Sequence, residues 1–142
     1  MFNCSRFPVG KSHEDEFVAH LLINESVNIV YSDEIMYFYN QRPGSITKGN
    51  HTIDKIDAFE RRLTFVIDNN FKKVIPYAAS NLCWKYLNLC YEKYSKKEDF
   101  QQILSEAKEK QSFMRLRKVT DLFLVIFLRF PKFYFLVKNV KC

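Results

Sequence analysis

Four titratable side chains and a serine hydroxyl gather at one point of the chain, just ahead of its first helical pattern. They are Ser12, His13, Glu14, Asp15 and Glu16. The positive end of a helix dipole keeps such carboxylates ionised, and an ionised carboxylate that is held in place can take a proton from a bound hydroxyl group. Ser12-x-x-Asp15 is also the pattern of a capping box, in which the acid only completes the start of a helix. Spacing alone favours the capping box.

A helix and two short strands are predicted to carry and follow these side chains. Apolar residues recur at helical spacing over residues 17–22, which predicts a helix of about three turns. On this helix we expect Glu16 and His20 to face water. Residues 28–31 and 35–39 are rich in β-forming side chains and flank a turn, which predicts a β hairpin.

Helical spacing resumes after a loop that contains Gly and Pro, and it persists through much of the remaining chain. It predicts amphipathic helices over about 52–67, 74–94 and 100–107. Pro76 fits this pattern only in the first turn of its helix, because a proline further in would remove a backbone hydrogen bond. The expected fold class is therefore mainly α with a short β hairpin.

Length and composition restrict the architecture. The chain has 142 residues, of which 47% are apolar and 16% aromatic, with 14 Phe and 8 Tyr. That length suffices for one compact domain and is too small for two independent ones. So many aromatic side chains must bury a core or dock on an apolar partner. Within this length we expect two segments, residues 1–50 and a helical region at 51–142.

The four cysteines do not indicate a metal or redox site. They stand at Cys4, Cys83, Cys90 and Cys142, and no two of them have Cys-x-x-Cys spacing. Cys83 and Cys90 are seven residues apart in a helical pattern, so we expect both on one buried face. The first ten residues lack the apolar core of a secretory signal, which together with the cysteine pattern indicates a reducing, cytoplasmic location.

The excess positive charge lies in the last quarter of the chain. Residues 1–107 contain 13 Lys and Arg against 14 Asp and Glu, whereas residues 108–142 contain 9 against 2. An apolar run at 122–128 is followed by Arg129 and Lys132. This run is too short to span a membrane, which takes about 20 mostly apolar residues.

The mixture of basic and apolar residues in this tail predicts contact with a membrane surface through residues 113–141. Peripheral association at the inner face of the membrane would follow. Two alternatives stay open. One is a solvated charged face without a function, and the other is a nucleic-acid site. The tail contains no recognised nucleic-acid module, so no nucleic-acid partner is expected.

Three short motifs follow one another within residues 7–46. They read Phe7-Pro8-x-Gly10-Lys11-x-His13-Glu14-Asp15-Glu16-Phe17, then Ile29-Val30-Tyr31-x-Asp33-Glu34, then Tyr37-Phe38-Tyr39-x-Gln41-Arg42-x-x-Ser45-Ile46. In order and spacing they resemble the acceptor-side motifs of bacterial family 2 glycosyltransferases, which have a GT-A fold. The resemblance covers about a third of the chain. It implies that residues 1–50 are the acceptor-side end of such a domain.

This resemblance implies inverting transfer of a sugar from a nucleotide-sugar donor to an acceptor hydroxyl. It assigns removal of the hydroxyl proton to Asp15, and orientation of the base or of the acceptor to Glu14. It assigns substrate binding to Arg42, His13 and Ser45, and a guanidinium group suits diphosphate oxygens. The implied partners are the nucleotide sugar and a glycan or lipid-linked acceptor.

The nucleotide-binding half of such an enzyme, with its Asp-x-Asp metal motif, has no counterpart in this sequence. The resemblance therefore implies a partial α/β GT-A enzyme that lacks its N-terminal nucleotide-binding half. No cofactor is expected in this chain, whereas Mg or Mn is implied for the intact enzyme. We expect the chain to be inactive alone and to self-associate through the apolar face that the missing half would cover. The alternative is a helical membrane-surface or adaptor module without catalysis.

Overall fold

The structure is a computed structural model, and it describes residues 6–38, 40, 52–115 and 122–139. The prediction of a mainly helical fold is confirmed, and the three amphipathic helices predicted after residue 51 are present. The described residues form six α-helices: α1 Glu14–Glu25, α2 Thr52–Asp68, α3 Ile75–Ser95, α4 Gln101–Arg115, α5 Leu122–Arg129 and α6 Pro131–Asn139.

The central helix is α3, which packs against both α2 and α4 and also contacts α5 and α6. Its residues Leu82, Cys83, Leu87 and Cys90 have no exposed surface. Burying one leucine side chain contributes roughly 1.5–3 kcal/mol, so α3 organises the core. The two cysteines lie on a buried face, as predicted. Burial raises the pKa of each thiol to about 12, so both stay protonated and unreactive at neutral pH.

Local sequence sets the turn between α2 and α3. Asn70 adopts a left-handed conformation with a φ of 54°, and the Phe71 N–H donates to the Val66 carbonyl oxygen at 2.9 Å. This arrangement satisfies a carbonyl at the end of α2 and reverses the chain. Pro76 then lies in the first turn of α3, where its missing N–H breaks no helical hydrogen bond. Its predicted position is confirmed.

The predicted β hairpin does not form in the residues that the structure describes. Residues 27–38 contain no strand, and their side chains face water, with Val27 94% and Val30 89% exposed. A lone hairpin is marginal in water unless a sheet or a helix covers one of its faces. No described part of the chain covers this segment, so its β-forming side chains alone do not make strands. Tyr39, the last residue of the second predicted strand, lies outside the described residues.

The last two helices pack on the rest of the bundle, where α5 contacts α3 and α4 and α6 contacts α3. Leu124, Leu128 and Phe135 are buried in this contact, and the rings of Phe135 and Tyr94 stack with their centroids 4.6 Å apart. Across the described ranges, no helix combines the length and the apolar character that crossing a membrane requires.

Candidate functional site

The first turn of α1 lies on α2 and is anchored on one flank by Lys11. The Lys11 Nζ contacts Asp54 Oδ1 at 3.1 Å and Asp57 Oδ2 at 3.0 Å, and the Ser12 backbone N–H donates to Asp54 Oδ2 at 3.1 Å. Hydrogen bonds to Asp57 and then Asp54 raise the pKa of Lys11, so its ammonium group stays charged. Such partly exposed ion pairs contribute little stability each. Their effect here is to fix where the chain enters α1.

A second anchor holds the other flank of the same turn. The Arg62 guanidinium of α2 donates to Glu16 Oε2 at 2.6 Å and to the Glu16 carbonyl oxygen at 3.0 Å. It also lies 4.7 Å from the centroid of the Phe59 ring, and stacking on an aromatic face restricts a guanidinium further. Glu16, which we expected to face water, is therefore a structural ion-pair partner.

Between the two anchors, Glu14 and Asp15 project into water from the first two positions of α1. Among the described residues, neither side chain takes part in an ion pair or a side-chain hydrogen bond. Both carboxylates lie at the positive end of the helix dipole. The result is a pair of exposed carboxylates on a turn whose backbone is fixed from both sides.

The capping box predicted for Asp15 is wrong. Residue His13, not Ser12, is the N-cap of α1, and it makes no side-chain capping hydrogen bond. Asp15 is therefore the second helical residue, whereas the box requires the third. The competing partner is distant in sequence, because Asp54 of α2 accepts the hydrogen bond from the Ser12 backbone N–H that a capping box would give to Asp15.

The backbone just before the carboxylates is unusual at two points. Gly10 has a φ of 76° and His13 a φ of 57°. A Cβ at Gly10 would meet no atom within 4 Å, so glycine is favoured there by backbone conformation and not by lack of space. Left-handed conformations of residues such as His13 cost of order 1–3 kcal/mol and cluster at functional sites.

An open groove of about 700 Å³ runs beside this turn, between α1 and the end of α2. Apolar side chains dominate its walls, and two charged residues, Glu16 and Arg62, also line it. The apolar and aromatic contributors are Ala19, Ile23, Phe65, Val66, Phe71 and Val74. Grooves of this size with a few polar groups are typical of small-molecule sites.

Two polar atoms in the groove have no hydrogen-bond partner within the described part of the chain. They are His20 Nδ1 and Arg62 Nε, and both are buried. Burial, and then the charge of Arg62, lowers the pKa of His20, so its imidazole is neutral at pH 7. A neutral imidazole can accept or donate one hydrogen bond to a bound hydroxyl. His20 is thus half-buried in the groove and not a plain surface residue as predicted.

The structure brings three of the predicted site residues together and leaves two outside its described part. His13, Glu14 and Asp15 are consecutive at the start of α1. Arg42 and Ser45 lie outside the described residues. Among the residues that are described, no group of three or more His, Cys, Asp or Glu side chains is placed to hold a metal ion.

Three residues that shape this site were not singled out as functional from the sequence. Lys11 and Arg62 anchor the turn, and His20 lines the groove. The partners of Lys11 and Arg62 are 43 and 46 residues away in sequence, so no local spacing signals either contact.

No protein-family model, no curated protein and no solved structure matches the chain.

Proposed function

We propose that the first turn of α1 is the acceptor-side catalytic turn of an inverting glycosyltransferase of the family 2 type. Asp15 is the general base, and Glu14 orients the base or the acceptor. One observation carries the proposal: the Asp15 carboxylate is exposed and makes no ion pair or side-chain hydrogen bond with the described residues, on a turn that Lys11 and Glu16 fix to α2 from both flanks. A base must be accessible and held in position; this carboxylate is accessible, and the backbone that carries it is anchored on both sides.

In the proposed reaction, Asp15 takes the proton of an acceptor hydroxyl. The hydroxyl oxygen attacks the anomeric carbon of the donor sugar, and a new carbon–oxygen bond forms. The bond from that carbon to the diphosphate breaks on the opposite face, the nucleoside diphosphate leaves, and the configuration inverts. Preorganisation of the base matters because small displacements of a catalytic group lower the rate strongly.

Residues that contact the substrates would lie around this turn. His13 precedes the carboxylates directly, and the groove beside them is lined by His20 and Arg62 next to apolar walls. These features suit the acceptor. Arg42 and Ser45 are proposed to bind the donor diphosphate or the acceptor.

The residues that the structure describes provide no site that fits the Mg or Mn ion implied for the intact enzyme. The sequence contains no Asp-x-Asp, and the described residues provide no cluster of three ligands. We therefore assign the metal to a nucleotide-binding half and route no step of this chain's chemistry through it.

The exposed segment 27–38 is proposed to complete the GT-A fold by pairing with the sheet of that nucleotide-binding half. Its large apolar side chains face water, and exposed apolar side chains in such number favour contact with a partner. Extended chains rich in β-forming residues add readily to the edge of a sheet. The side chains concerned are Val27, Ile29, Val30, Tyr31, Ile35, Met36, Tyr37 and Phe38.

Reconstitution tests the proposal. The 142-residue chain is mixed with, or fused after, the nucleotide-binding half of a related family 2 glycosyltransferase whose donor and acceptor are known. Transfer of labelled sugar to that acceptor is then measured. We expect no transfer from either part alone and measurable transfer from the combination.

Asp99→Asn is the matched control for Asp15→Asn, because Asp99 is also exposed and lies at the start of a helix, α4, outside the groove, where asparagine caps as well as aspartate. In the combination, Asp15→Asn should lower transfer by about 10²–10⁴-fold, and Asp99→Asn should not change it. Absence of transfer from both the mixture and the folded fusion would reject the family 2 assignment. It would leave a helical adaptor without catalysis as the better account.

A further inference from the structure

The pair formed by α5 and α6 has a buried face and an exposed apolar face. The buried face is anchored firmly, because Phe135 stacks on Tyr94 and the Tyr134 hydroxyl donates to Asn88 Oδ1 at 2.7 Å. The opposite face is exposed to water through large apolar residues, namely Leu122, Phe123, Phe130, Phe133, Leu136 and Val137. We call this set of six residues the α5–α6 face.

The α5–α6 face is continuous across both helices. The ring of Phe127, itself mostly buried, contacts Phe123 on α5 with centroids 6.4 Å apart and Phe133 on α6 with centroids 5.9 Å apart. On α6, Phe133, Leu136 and Val137 are three and four residues apart and so share one side of the helix. The exposed side chains therefore form one apolar surface on a rigid base.

Every charged residue within the described stretch 122–139 is basic. Arg129 and Lys132 are exposed beside the α5–α6 face, and residues 122–139 contain no acidic residue. Lys138 does not belong to this group, because its Nζ bonds to Asn88 Oδ1 and lies 4.8 Å from the centroid of the Tyr91 ring. Residues 108–142 as a whole contain 9 basic and 2 acidic residues.

We propose that the α5–α6 face is a docking surface for an anionic lipid bilayer. Phe123, Phe130, Phe133 and Leu136 enter the boundary between headgroups and acyl chains, while Arg129 and Lys132 contact lipid phosphates. Interfacial helices sink only about 5–10 Å into this boundary, a depth that side chains on two short helices can reach. This inference does not depend on the proposed catalytic role of Asp15.

Charge complementarity selects the bilayer over other occupants. A second copy of this chain would bring Arg129 and Lys132 against their own equivalents, which disfavours self-association through this face. A nucleic acid would satisfy the two basic residues and leave the large apolar side chains between them uncovered. An anionic bilayer provides partners for both groups, because the apolar side chains insert among the lipids while the basic residues contact lipid phosphates.

Co-sedimentation of the full chain with lipid vesicles tests the proposal. The vesicles contain phosphatidylcholine alone or phosphatidylcholine mixed with phosphatidylglycerol. We expect binding to the anionic vesicles and weak binding to the neutral ones. Phe133→Ser combined with Leu136→Ser should weaken binding about tenfold or more, and Arg129→Gln combined with Lys132→Gln should remove most of the preference for anionic lipid.

Ile53→Ser combined with Tyr77→Ser is the matched control. These two side chains are 68% and 60% exposed, against 51% for Phe133 and 64% for Leu136, but they lie on α2 and α3. The control should bind vesicles like the unmodified chain, and the circular dichroism of every variant should stay helical. Equal binding to both vesicle types would overturn the proposal. Equal losses of vesicle binding in the control and test variants would also overturn it. So would test substitutions that leave vesicle binding unchanged and alter only self-association, measured by light scattering without lipid.

Discussion

Helix α3 and the segment 27–38 are both rich in apolar residues, yet their surroundings are opposite. Leu82 and Leu87 of α3 have no exposed surface, whereas Val27 and Val30 are almost fully exposed. The difference lies in the partner. Helices α2 and α4 supply apolar surfaces for α3 within the same chain, and no described residue does so for 27–38. A helix makes its backbone hydrogen bonds within itself and needs only an apolar surface to pack on, whereas a strand also needs a second strand for its backbone hydrogen bonds.

The largest expected change in the free energy of unfolding distinguishes α3 from segment 27–38. Leu87→Ala should lower the free energy of unfolding by about 2–5 kcal/mol, because it leaves a cavity among fully buried side chains. Val30→Ala should change it by less than about 0.5 kcal/mol. Chemical denaturation of the chain alone measures both. A comparable loss for Val30→Ala would mean that segment 27–38 is packed in the isolated chain.

A smaller effect is expected where the backbone enters α1. Gly10→Ala should lower the free energy of unfolding by about 1–2 kcal/mol, because the residue has a φ of 76°. Gly10→Asn should lose less, since asparagine tolerates a left-handed conformation better than alanine. Thermal unfolding of the two variants checks the order. Equal losses would show that something other than backbone conformation selects glycine at this position.

The Arg62 anchor should contribute about 1 kcal/mol, near the upper end for partly exposed ion pairs. Arg62→Met removes both hydrogen bonds to Glu16. Lys108→Met is the control, because Lys108 is an exposed cation on α4, and α4 makes no contact with α1 among the described residues. Hydrogen exchange should speed up in the first turn of α1 for Arg62→Met and stay unchanged for Lys108→Met. Unchanged exchange in both would show that this turn does not need its anchor.

The smallest expected effect is a pH dependence at the contact between α1 and α2. Burial lowers the pKa of His20 from its ordinary value of 6.5, so the unfolded chain binds a proton at this residue more readily than the folded one. The contribution of His20 to the free energy of unfolding is therefore fully present above pH 6.5 and declines as the pH falls below that value. Unfolding measured between neutral pH and pH 5 should show a shallower decline in His20→Gln. An identical decline in the unmodified chain and in His20→Gln would mean that His20 is exposed to water in the folded state.

Helix positions could be predicted from the sequence because their signals are local. Apolar spacing identified α1 to α4, and a proline close to the start marked the first turn of α3. The two buried cysteines followed from their helical spacing. Each of these features depends on residues within one or two turns of one another.

The parts of the candidate site that depend on distant residues could not be predicted in this way. Ser12 fits a capping box by local pattern, but Asp54 competes for its backbone N–H from 42 residues away. Glu16 and His20 were expected in water, and both are drawn into the contact with α2 by Arg62 and Phe65. The β hairpin was predicted wrongly for the same reason, because strand pairing needs a partner that local sequence does not reveal.

The most direct test of the central claim is the kinetic effect of Asp15→Asn in the reconstituted or fused enzyme. If Asp15 removes the acceptor proton, kcat falls by about 10²–10⁴-fold while KM for the nucleotide sugar stays close to that of the unmodified combination. An unchanged kcat with a raised KM would contradict the account, because it would make Asp15 a binding residue and not the base.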